Sequence, residues 1–251
     1  MSYEDYRTAL VTGASTGMGA AIVAHLREQG LTVHAIARDA ARLEEVAGRT
    51  GAIPHRVDLA DVAALEEATA GLEVDVLVNN AGVSAVGNVL TGSRNEVDAM
   101  VDVNLRAVLH LSRLLVPGMV ERDLGHVVNI SSIAGHYNFF GHTAYHATKA
   151  AVAQLSRQLR NDTLGKRIRV TEISPGRVET EIFGRNLGGS PEAMREAWDT
   201  YYEGYESLTT ADIVAAVDFA VSSPRHVNVG FVELMPTFQV PGGLTFDRRP
   251  A

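Results

Sequence analysis

The sequence predicts an α/β fold, a doubly wound parallel β-sheet with helices on both faces. Short apolar runs alternate with longer amphipathic stretches along the 251 residues, which is typical of repeated strand–helix–strand units. Several of these runs are apolar at nearly every position, as expected of strands that helices cover on both sides. No linker or internal repeat interrupts the alternation, so we expect residues 1–251 to form a single domain.

The first part of the chain alternates four predicted strands with helices. Apolar runs place strands at residues 8–11, 32–37, 52–57 and 74–78. The amphipathic stretches between them predict helices over residues 17–29, 39–48 and 65–71, the first of which ends at Gly30.

The second part continues the alternation with longer helices. Residues 95–122 are predicted as one long helix that bends or restarts near Pro117, because proline removes a backbone donor. The remaining predicted elements are strands at 126–130, 168–173 and 227–234 and helices at 144–164 and 214–221. Residues 175–208 are rich in Gly, Glu, Arg and aromatic side chains, and a segment this long predicts a mobile lid over a site.

Composition excludes several classes of function. The chain has no cysteine, which excludes disulfides, thiolate metal sites and thiol nucleophiles. Its net charge of −8 repels phosphate backbones, so we expect no nucleic-acid partner. No apolar run approaches the roughly 20 residues of a membrane span, and the N-terminus lacks the pattern of a signal peptide. We therefore expect a cytoplasmic protein that does not enter membranes.

Metal binding is not expected either. The nine histidines raise the possibility of zinc. His142 and His146 are the nearest pair at ligand spacing, but no carboxylate motif accompanies them.

A glycine-rich turn follows the first predicted strand and opens the first helix. It reads Thr12-Gly13-Ala14-Ser15-Thr16-Gly17-Met18-Gly19. Glycines here permit a tight turn and a close approach of the backbone to a pyrophosphate, which the N–H groups of the following helix attract. The G-x-x-x-G-x-G spacing differs from the commoner G-x-G-x-x-G, and a glycine-rich loop without a ligand is the alternative. The turn predicts a dinucleotide site on a Rossmann-type sheet.

The end of the second strand bears on the choice of dinucleotide. Ala37 stands where an acid would bind the ribose of NAD, and Arg38 follows it. An arginine there can pair with a 2′-phosphate through two hydrogen bonds, which favours NADP(H) over NAD(H). Asp39 favours NAD(H) if it accepts from a free 2′-hydroxyl, unless it caps the next helix instead. Asp58 and Asn79-Asn80-Ala81-Gly82 follow neighbouring strands and lie on the same ligand-binding edge.

A serine, a tyrosine and a lysine suggest acid–base chemistry. Ser132 follows the fifth strand, Tyr145 comes thirteen residues later, and Lys149 one helical turn after that. A nearby ammonium lowers the pKa of a phenol from about 10, so Tyr145 can exchange a proton with an alcohol oxygen near neutral pH. The Ser132 hydroxyl can donate a hydrogen bond to the same oxygen. The alternative is that Tyr145 and Lys149 only pack on a helix surface.

These motifs together resemble the short-chain dehydrogenase/reductase superfamily over essentially the whole length of the chain. The matching pieces are the glycine turn, Asn80-Ala81-Gly82, Asn104 in Val103-Asn104-Leu105, Ser132, Tyr145-x-x-x-Lys149 and Pro175-Gly176. The resemblance implies that Tyr145 is the acid–base group and that Lys149 binds the nicotinamide ribose and lowers the pKa of Tyr145. It also implies that Ser132 orients the substrate oxygen and that Asn104 holds a water molecule linking Lys149 to solvent.

The resemblance also implies a set of cofactor-binding residues. The turn would be shaped by Thr12, Gly13, Gly17 and Gly19, with Ser15, Thr16 and Met18 touching phosphate and ribose. Asp58 and Leu59 would contact the adenine, and Pro175, Val178 and Thr180 the nicotinamide. Arg38 resembles the NADP-preferring members, although Ser15 and Thr16 replace the extra basic residue that some of them carry in the turn.

One branch is especially similar, the NADP-dependent 3-hydroxy acid dehydrogenases, including serine dehydrogenases, together with the related sulfoacetaldehyde reductases. The similar stretches are residues 115–122, 126–130, 209–213 and 226–244. This similarity implies a small polar or anionic hydroxy compound as substrate and a homotetramer as the assembly. The tail, residues 236–251, would then be able to reach a neighbouring subunit.

The substrate side of the site leaves alternatives open. Tyr137, Phe140 and Trp198 would wall a pocket for a larger aryl or alicyclic ketone, or else only pack against their neighbours. Arg177 and Arg185 are candidate clamps for a substrate anion, or solvated arginines of the predicted lid. The leading hypothesis is NADP(H)-dependent hydride transfer between an alcohol and a carbonyl. A non-catalytic NADP-sensing regulator, and a lyase or dehalogenase without nicotinamide, are the competing classes.

Overall fold

The computed structural model describes residues 3–240 and contains one parallel seven-stranded sheet in the order β3-β2-β1-β4-β5-β6-β7. The strands are β1 Thr8–Thr12, β2 Thr32–Ala37, β3 Ile53–Arg56, β4 Val76–Asn79, β5 Gly125–Ile130, β6 Ile168–Pro175 and β7 Phe231–Leu234. The strand order reverses between β1 and β4, the point at which ligands bind beyond the carboxyl ends of such sheets. The predicted fold class is confirmed.

Nine α-helices connect the strands within residues 3–240. They are α1 Gly17–Glu28, α2 Ala40–Thr50, α3 Val62–Thr69, α4 Arg94–Val101, α5 Ala107–Arg122, α6 Thr143–Asp162, α7 Ile182–Asn186, α8 Pro191–Tyr201 and α9 Thr210–Ser222. Asp39 caps α2, since its carboxylate accepts a hydrogen bond from the backbone N–H of Arg42 at 3.1 Å. This is the structural role that the sequence left open for Asp39.

Two apolar clusters lie on opposite faces of the sheet. Alternate residues of one strand face opposite sides, so Val11 of β1 belongs to the cluster that includes Ile22 of α1 and Val217 of α9. Its neighbour Leu10 belongs to the other cluster, which includes Leu111 of α5. Because helices cover both faces, the central strands are apolar at nearly every position, as the sequence indicated.

The predicted interruption of the long helix at Pro117 is wrong. Helix α5 runs through Pro117 without a break, and the irregularity lies earlier, in the π-helical segment Asp102–Arg106 that joins α4 to α5. Leu115 and Met119, on either side of the proline, are buried in the core. Their packing holds the helix together despite the backbone donor that proline lacks.

Other boundaries move by a few residues for local reasons. Helix α9 begins at Thr210, four residues earlier than predicted, because Thr209 and Asp212 form a capping box there. Helix α3 begins three residues early, after the cap supplied by Asp61. Segment 175–208, the predicted lid, contains α7 and α8. The last strand is shorter than predicted, Phe231–Leu234.

No helix within residues 3–240 is long and apolar enough to cross a membrane. The predicted reach of the tail to a neighbouring subunit concerns mainly residues 241–251, which lie outside the described residues.

Candidate active site

The glycine turn folds back closely on itself and on the loop after β4. Gly13 and Gly17 have positive φ angles of 64° and 53°. A Cβ atom added to Gly13 would lie 2.8 Å from the Cα of Ala81, and one added to Gly19 would lie 2.1 Å from the carbonyl oxygen of Gly13. Only glycine fits at these two positions, and the turn therefore presents bare backbone at the start of α1.

Thr12 locks this turn to the loop after β4. Its hydroxyl accepts hydrogen bonds from the backbone N–H groups of Asn80 and Ala81, both at 3.1 Å. The Asn80 side chain returns a bond to the carbonyl oxygen of Thr12 at 3.0 Å. The Thr16 side chain, at the N-cap of α1, makes no capping hydrogen bond. The N–H groups of the first helical turn therefore have no side-chain cap, which suits an anion.

Two arginines follow the carboxyl end of β2. Arg38 is exposed, and its guanidinium makes no ion pair or hydrogen bond with any of residues 3–240. Arg42, on the first turn of α2, donates to the Glu181 carboxylate at 2.7 Å. The Arg38 guanidinium is therefore free to make the predicted contact to a 2′-phosphate. Arg42 lies four residues after Arg38, but it belongs to no motif that would have marked it in the sequence.

Glu181 ties segment 175–208 to the cofactor side of the site. Its carboxylate accepts from Arg42 and from Arg185, each at 2.7 Å, and Arg185 also donates to the Thr16 hydroxyl at 2.9 Å. Burial raises the pKa of Glu181, but the hydrogen bonds from Arg185 and Arg42 outweigh it and hold that pKa below its usual value. The structure thus places Arg185, a candidate substrate clamp, against the glycine turn.

Ser132, Tyr145 and Lys149 come together beyond the end of β5. The Ser132 hydroxyl accepts from the backbone N–H of Ala134 at 3.2 Å and lies close enough to the Tyr145 hydroxyl to influence its pKa. The Lys149 ammonium donates to the carbonyl oxygen of Ile130 at 2.9 Å and lies 5.7 Å from the centre of the Tyr145 ring. The structure therefore groups these three predicted residues.

The predicted lowering of the Tyr145 pKa is wrong for the chain by itself. Desolvation raises the pKa of Tyr145, although the ring stays partly exposed, and the hydrogen bond from Ser132 opposes that rise. Burial also lowers the pKa of Lys149 to about 8. The physical reason is that the site desolvates both groups, and the ammonium is bonded to the Ile130 carbonyl rather than to the phenol.

Asn104 lies in the π-helical segment and is 1% exposed. Its side chain accepts from the N–H of Val83 at 2.8 Å and donates to the carbonyl of Val83 at 2.9 Å and to the Thr148 hydroxyl at 3.2 Å. A Cβ atom on Gly82 would lie 3.4 Å from the Lys149 ammonium and 3.6 Å from the Asn104 oxygen. Asn104 and Lys149 thus both lie beside Gly82, and the water molecule linking Lys149 to solvent stays a prediction.

The predicted nicotinamide and adenine residues line the same edge of the sheet. Pro175 ends β6, and Val178 is buried, its carbonyl accepting from the Tyr202 hydroxyl at 3.0 Å. The Thr180 methyl would lie 3.7 Å from a Cβ atom on Gly17, so this segment reaches the glycine turn. Further along the edge, Asp58 and Leu59 follow β3.

The predicted aromatic residues on the substrate side are spread out. The neighbouring Glu233 carboxylate raises the pKa of Tyr137. Phe140 is 85% exposed, and Trp198 is 49% exposed and packs against Tyr202 with ring centres 5.5 Å apart. These side chains do not form a closed apolar wall among residues 3–240.

Arg177 connects segment 175–208, to which it belongs, with Gln239. Its guanidinium stacks over the Tyr205 ring at 4.6 Å, and its backbone N–H donates to the Gln239 side chain at 2.8 Å. Sequence reasoning missed Gln239, as it missed Thr148, because neither residue belongs to a recognisable motif.

Within residues 3–240, no group of three or more His, Asp or Glu side chains is placed to hold a metal ion. His146 bonds to the carbonyl oxygen of His142 at 2.8 Å and accepts from the N–H of Phe139 at 3.1 Å. Both of its ring nitrogens are therefore engaged in the loop before Tyr145.

Comparison with known proteins agrees with this geometry. A sequence profile described as short chain dehydrogenase matches residues 7–187. The chain belongs to the short-chain dehydrogenase family. The resemblance inferred from the motifs is confirmed, and the chain is that of a dehydrogenase, an oxidoreductase.

Two similar proteins and one solved structure show which members of the family this short-chain dehydrogenase resembles. It is 38% identical to a serine 3-dehydrogenase of Rhizobium radiobacter over 92% of this chain and 94% of that protein. It is also 38% identical to an NADP-dependent 3-hydroxy acid dehydrogenase of Salmonella typhi over 95% of this chain and 98% of that protein. A solved structure described as the closed form of serine dehydrogenase complexed with NADP+ matches with a TM-score of 0.89 and 35% identity, covering 96% of this chain and all of that one.

Proposed function

We propose that this short-chain dehydrogenase interconverts an alcohol and the matching carbonyl compound with NADP(H), a secondary alcohol with a ketone or a primary alcohol with an aldehyde, and that its substrate is a small hydroxy acid or an aldehyde of that type. The observation that carries the proposal is the grouping of Ser132, Tyr145 and Lys149 at the carboxyl edge of the sheet, beside the glycine turn. The similarity to a serine 3-dehydrogenase and to an NADP-dependent 3-hydroxy acid dehydrogenase supports the substrate class.

The residues present fit a dinucleotide with a 2′-phosphate. The bare backbone at Gly13 and Gly19, with no side-chain cap on α1, suits a pyrophosphate. The exposed guanidinium of Arg38 suits the 2′-phosphate, and Asp39, the competing acceptor for a free 2′-hydroxyl, is engaged as the cap of α2. When bound, the nicotinamide ring donates or accepts the hydride.

The chain's own residues handle the proton and the charge on the substrate oxygen. The Ser132 oxygen already accepts from Ala134, and its single proton can be donated to the substrate oxygen. Tyr145, whose pKa is raised, holds its proton at neutral pH and can give it to a developing alkoxide. Lys149 is mostly charged at neutral pH, because its pKa of about 8 lies above it, and this charge stabilises a negative oxygen.

The cofactor assignment is tested by changing Arg38. We expect Arg38→Ala to weaken NADPH binding strongly and NADH binding little, because only NADPH offers a phosphate to the guanidinium. Arg49→Ala is the matched control, since Arg49 is an exposed arginine at the far end of α2. Dissociation constants from cofactor fluorescence measure both. Equal losses of NADPH and NADH affinity in Arg38→Ala would contradict the assignment.

The substrate class is tested by following NADPH absorbance with a panel of carbonyl compounds. Malonic semialdehyde and sulfoacetaldehyde represent the small anionic class, and an aryl methyl ketone and a bulky diketone represent the second candidate. The observation behind that second candidate, a larger ketone, is that the rings of Phe140 and Trp198 stay exposed and available for contact. Turnover of the small anions supports the proposal, and turnover of the ketones alone supports the alternative. No turnover of any compound, with intact NADPH binding, would favour a non-catalytic NADP-sensing regulator.

We also propose a homotetramer. Leu109 of α5 and Phe219 of α9 are 45% and 51% exposed, and such apolar side chains suit subunit contacts. Sedimentation equilibrium measures the mass directly, and a monomer at micromolar concentration would contradict this assembly.

A further inference from the structure

A buried carboxylate lies beside the loop that carries Ser132. Glu172, on β6, is 2% exposed. One of its oxygens accepts hydrogen bonds from the Ser131 hydroxyl and from Nε2 of His136, both at 2.6 Å. The chemistry described above does not use any of these three residues.

The two bonds to Glu172 close a short loop around Ser132. Ser131 precedes Ser132, and His136 is the C-cap of the 3-10 turn Ile133–Gly135 that Ser132 begins. A single carboxylate oxygen therefore holds the backbone on both sides of the Ser132 hydroxyl. Within this loop, Ser132 accepts from the N–H of Ala134 at 3.2 Å, a bond that fixes which way its lone pairs point.

The same loop packs tightly on the helix that carries the other two groups. A Cβ atom on Gly135 would lie 2.8 Å from the carbonyl oxygen of Lys149 on α6. The turn is therefore held between Glu172 on one side and the backbone of α6 on the other. Any shift of the turn changes the distance from Ser132 to Tyr145.

We propose that Glu172, through Ser131 and His136, is a positioning residue that sets the Ser132 hydroxyl against Tyr145. The proposal rests on the proposed function, because it concerns the same Ser132 and Tyr145. Burying a carboxylate costs free energy unless it is hydrogen-bonded. The folded state is therefore favoured when the loop keeps both donors, Ser131 and His136, on Glu172. The His136 ring also packs against Phe231 of β7, with ring centres 4.9 Å apart, which holds the donor in place.

The test removes the donors one at a time. His136→Phe keeps a ring against Phe231 and loses the hydrogen bond, Ser131→Ala loses the other, and His136→Gln restores a donor. We expect His136→Phe and Ser131→Ala to lower kcat by about tenfold to a hundredfold, because displacing a reacting group by about 1 Å has that cost. KM and the NADPH dissociation constant should change by less than about twofold, because the loop's displacement affects mainly the transition state. His136→Gln should recover most of the loss.

A second measurement reads the Ser132–Tyr145 contact without turnover. The ¹³Cζ resonance of labelled Tyr145, assigned with Tyr145→Phe, reports the hydrogen bond that its hydroxyl receives. We expect Ser132→Ala to move this resonance, His136→Phe to move it in the same direction, and His136→Gln to return it toward the wild-type position. Ser131→Ala should act like His136→Phe and is the milder change, should His136→Phe fold poorly.

The matched control is His126→Gln. His126 is a fully buried histidine near the start of β5 that bonds to Thr171 on β6 at 2.8 Å. Thr171 precedes Glu172 in the strand, so its side chain points to the opposite face of the sheet from that of Glu172. We expect this variant to lower thermal stability and to leave both kcat per folded enzyme and the Tyr145 resonance unchanged.

The outcomes separate the two proposals. If wild type shows no NADPH-dependent turnover but the Tyr145 resonance responds as expected, the proposed function fails and the positioning role stands. If wild type turns over and His136→Phe changes neither kcat nor the resonance, the positioning role fails alone. Equal effects of His136→Phe and His126→Gln would also overturn it, because they would indicate a general loss of packing.

Discussion

The pKa values of Tyr145 and Lys149 set the state of the site at the scale of single residues. Burial raises the pKa of Tyr145 and lowers that of Lys149 to about 8, so the lysine loses its proton first as the pH rises. At neutral pH the phenol is protonated and the amine mostly charged. The chain by itself is therefore prepared to donate a proton from Tyr145, as carbonyl reduction requires.

The buried ammonium gives the stability of the protein a characteristic pH dependence. Lys149 has a folded-state pKa of about 8 against the ordinary lysine value of 10.5, so between these pH values the unfolded chain binds the extra proton. Relative to Lys149→Met, wild type should therefore gain stability as the pH rises through this window, by at most about 3 kcal/mol. Lys149→Met also loses the hydrogen bond to the Ile130 carbonyl, which changes the free energy of unfolding by an amount that does not depend on pH. Urea unfolding of both proteins at several pH values measures the difference, and a difference independent of pH would contradict the burial of a charged Lys149.

Some single-residue features were visible in the sequence and others were not. Ser132, Tyr145 and Lys149 follow a motif with fixed spacing, so their grouping could be predicted. Glu172 offered only a weak signal, an acid within an otherwise apolar strand. Its partners lie 36 and 41 residues earlier, and no local pattern encodes which of many polar side chains would meet it.

At the scale of elements, the π-helical segment places Asn104 between the loop at Val83 and helix α6, where it bonds to Thr148. Asn104→Ala would leave the partly buried N–H and carbonyl groups of Val83 without their partner. We expect a loss of about 1–3 kcal/mol in the free energy of unfolding, and a smaller loss in Thr148→Val, which removes one bond of the three. Urea unfolding measures both.

Asn95→Ala is the control for that experiment, since Asn95 is an exposed asparagine on α4. A surface change of this kind usually alters stability by at most about 0.5 kcal/mol. If Asn104→Ala proved as stable as Asn95→Ala, the bonds to Val83 and Thr148 would not hold the segment in place.

The same segment shows where pattern reading fails. A π-helical turn contains more residues than an α-helical one, so it shifts the phase of all side chains that follow. Residues 95–122 carry apolar side chains on more than one face, and a phase shift leaves no visible mark on such a pattern. Pro117 does leave a visible mark, which is why the sequence located the irregularity there.

At the scale of the whole molecule, the sheet order explains why distant motifs meet. Parallel strands β1, β2, β4, β5 and β6 all end at the same edge, so the residues that follow them converge there. Apolar strands and amphipathic helices made this architecture predictable. The contacts of segment 175–208, including Glu181 with Arg42, depend on how the chain crosses the edge afterwards, which short-range patterns do not encode.

The central claim is that Tyr145 transfers a proton during NADP(H)-dependent interconversion of an alcohol and a carbonyl. The most direct test measures NADPH consumption by wild type and Tyr145→Phe with the best substrate of the carbonyl panel. Tyr201→Phe is the control, because Tyr201 keeps its ring stacked on Phe183, with centres 4.5 Å apart, when its hydroxyl is removed. We expect Tyr145→Phe to bind NADPH normally and to lose about 10²–10⁴-fold in turnover, and Tyr201→Phe to match wild type. Full turnover in Tyr145→Phe would contradict the mechanism and with it the role assigned to this site.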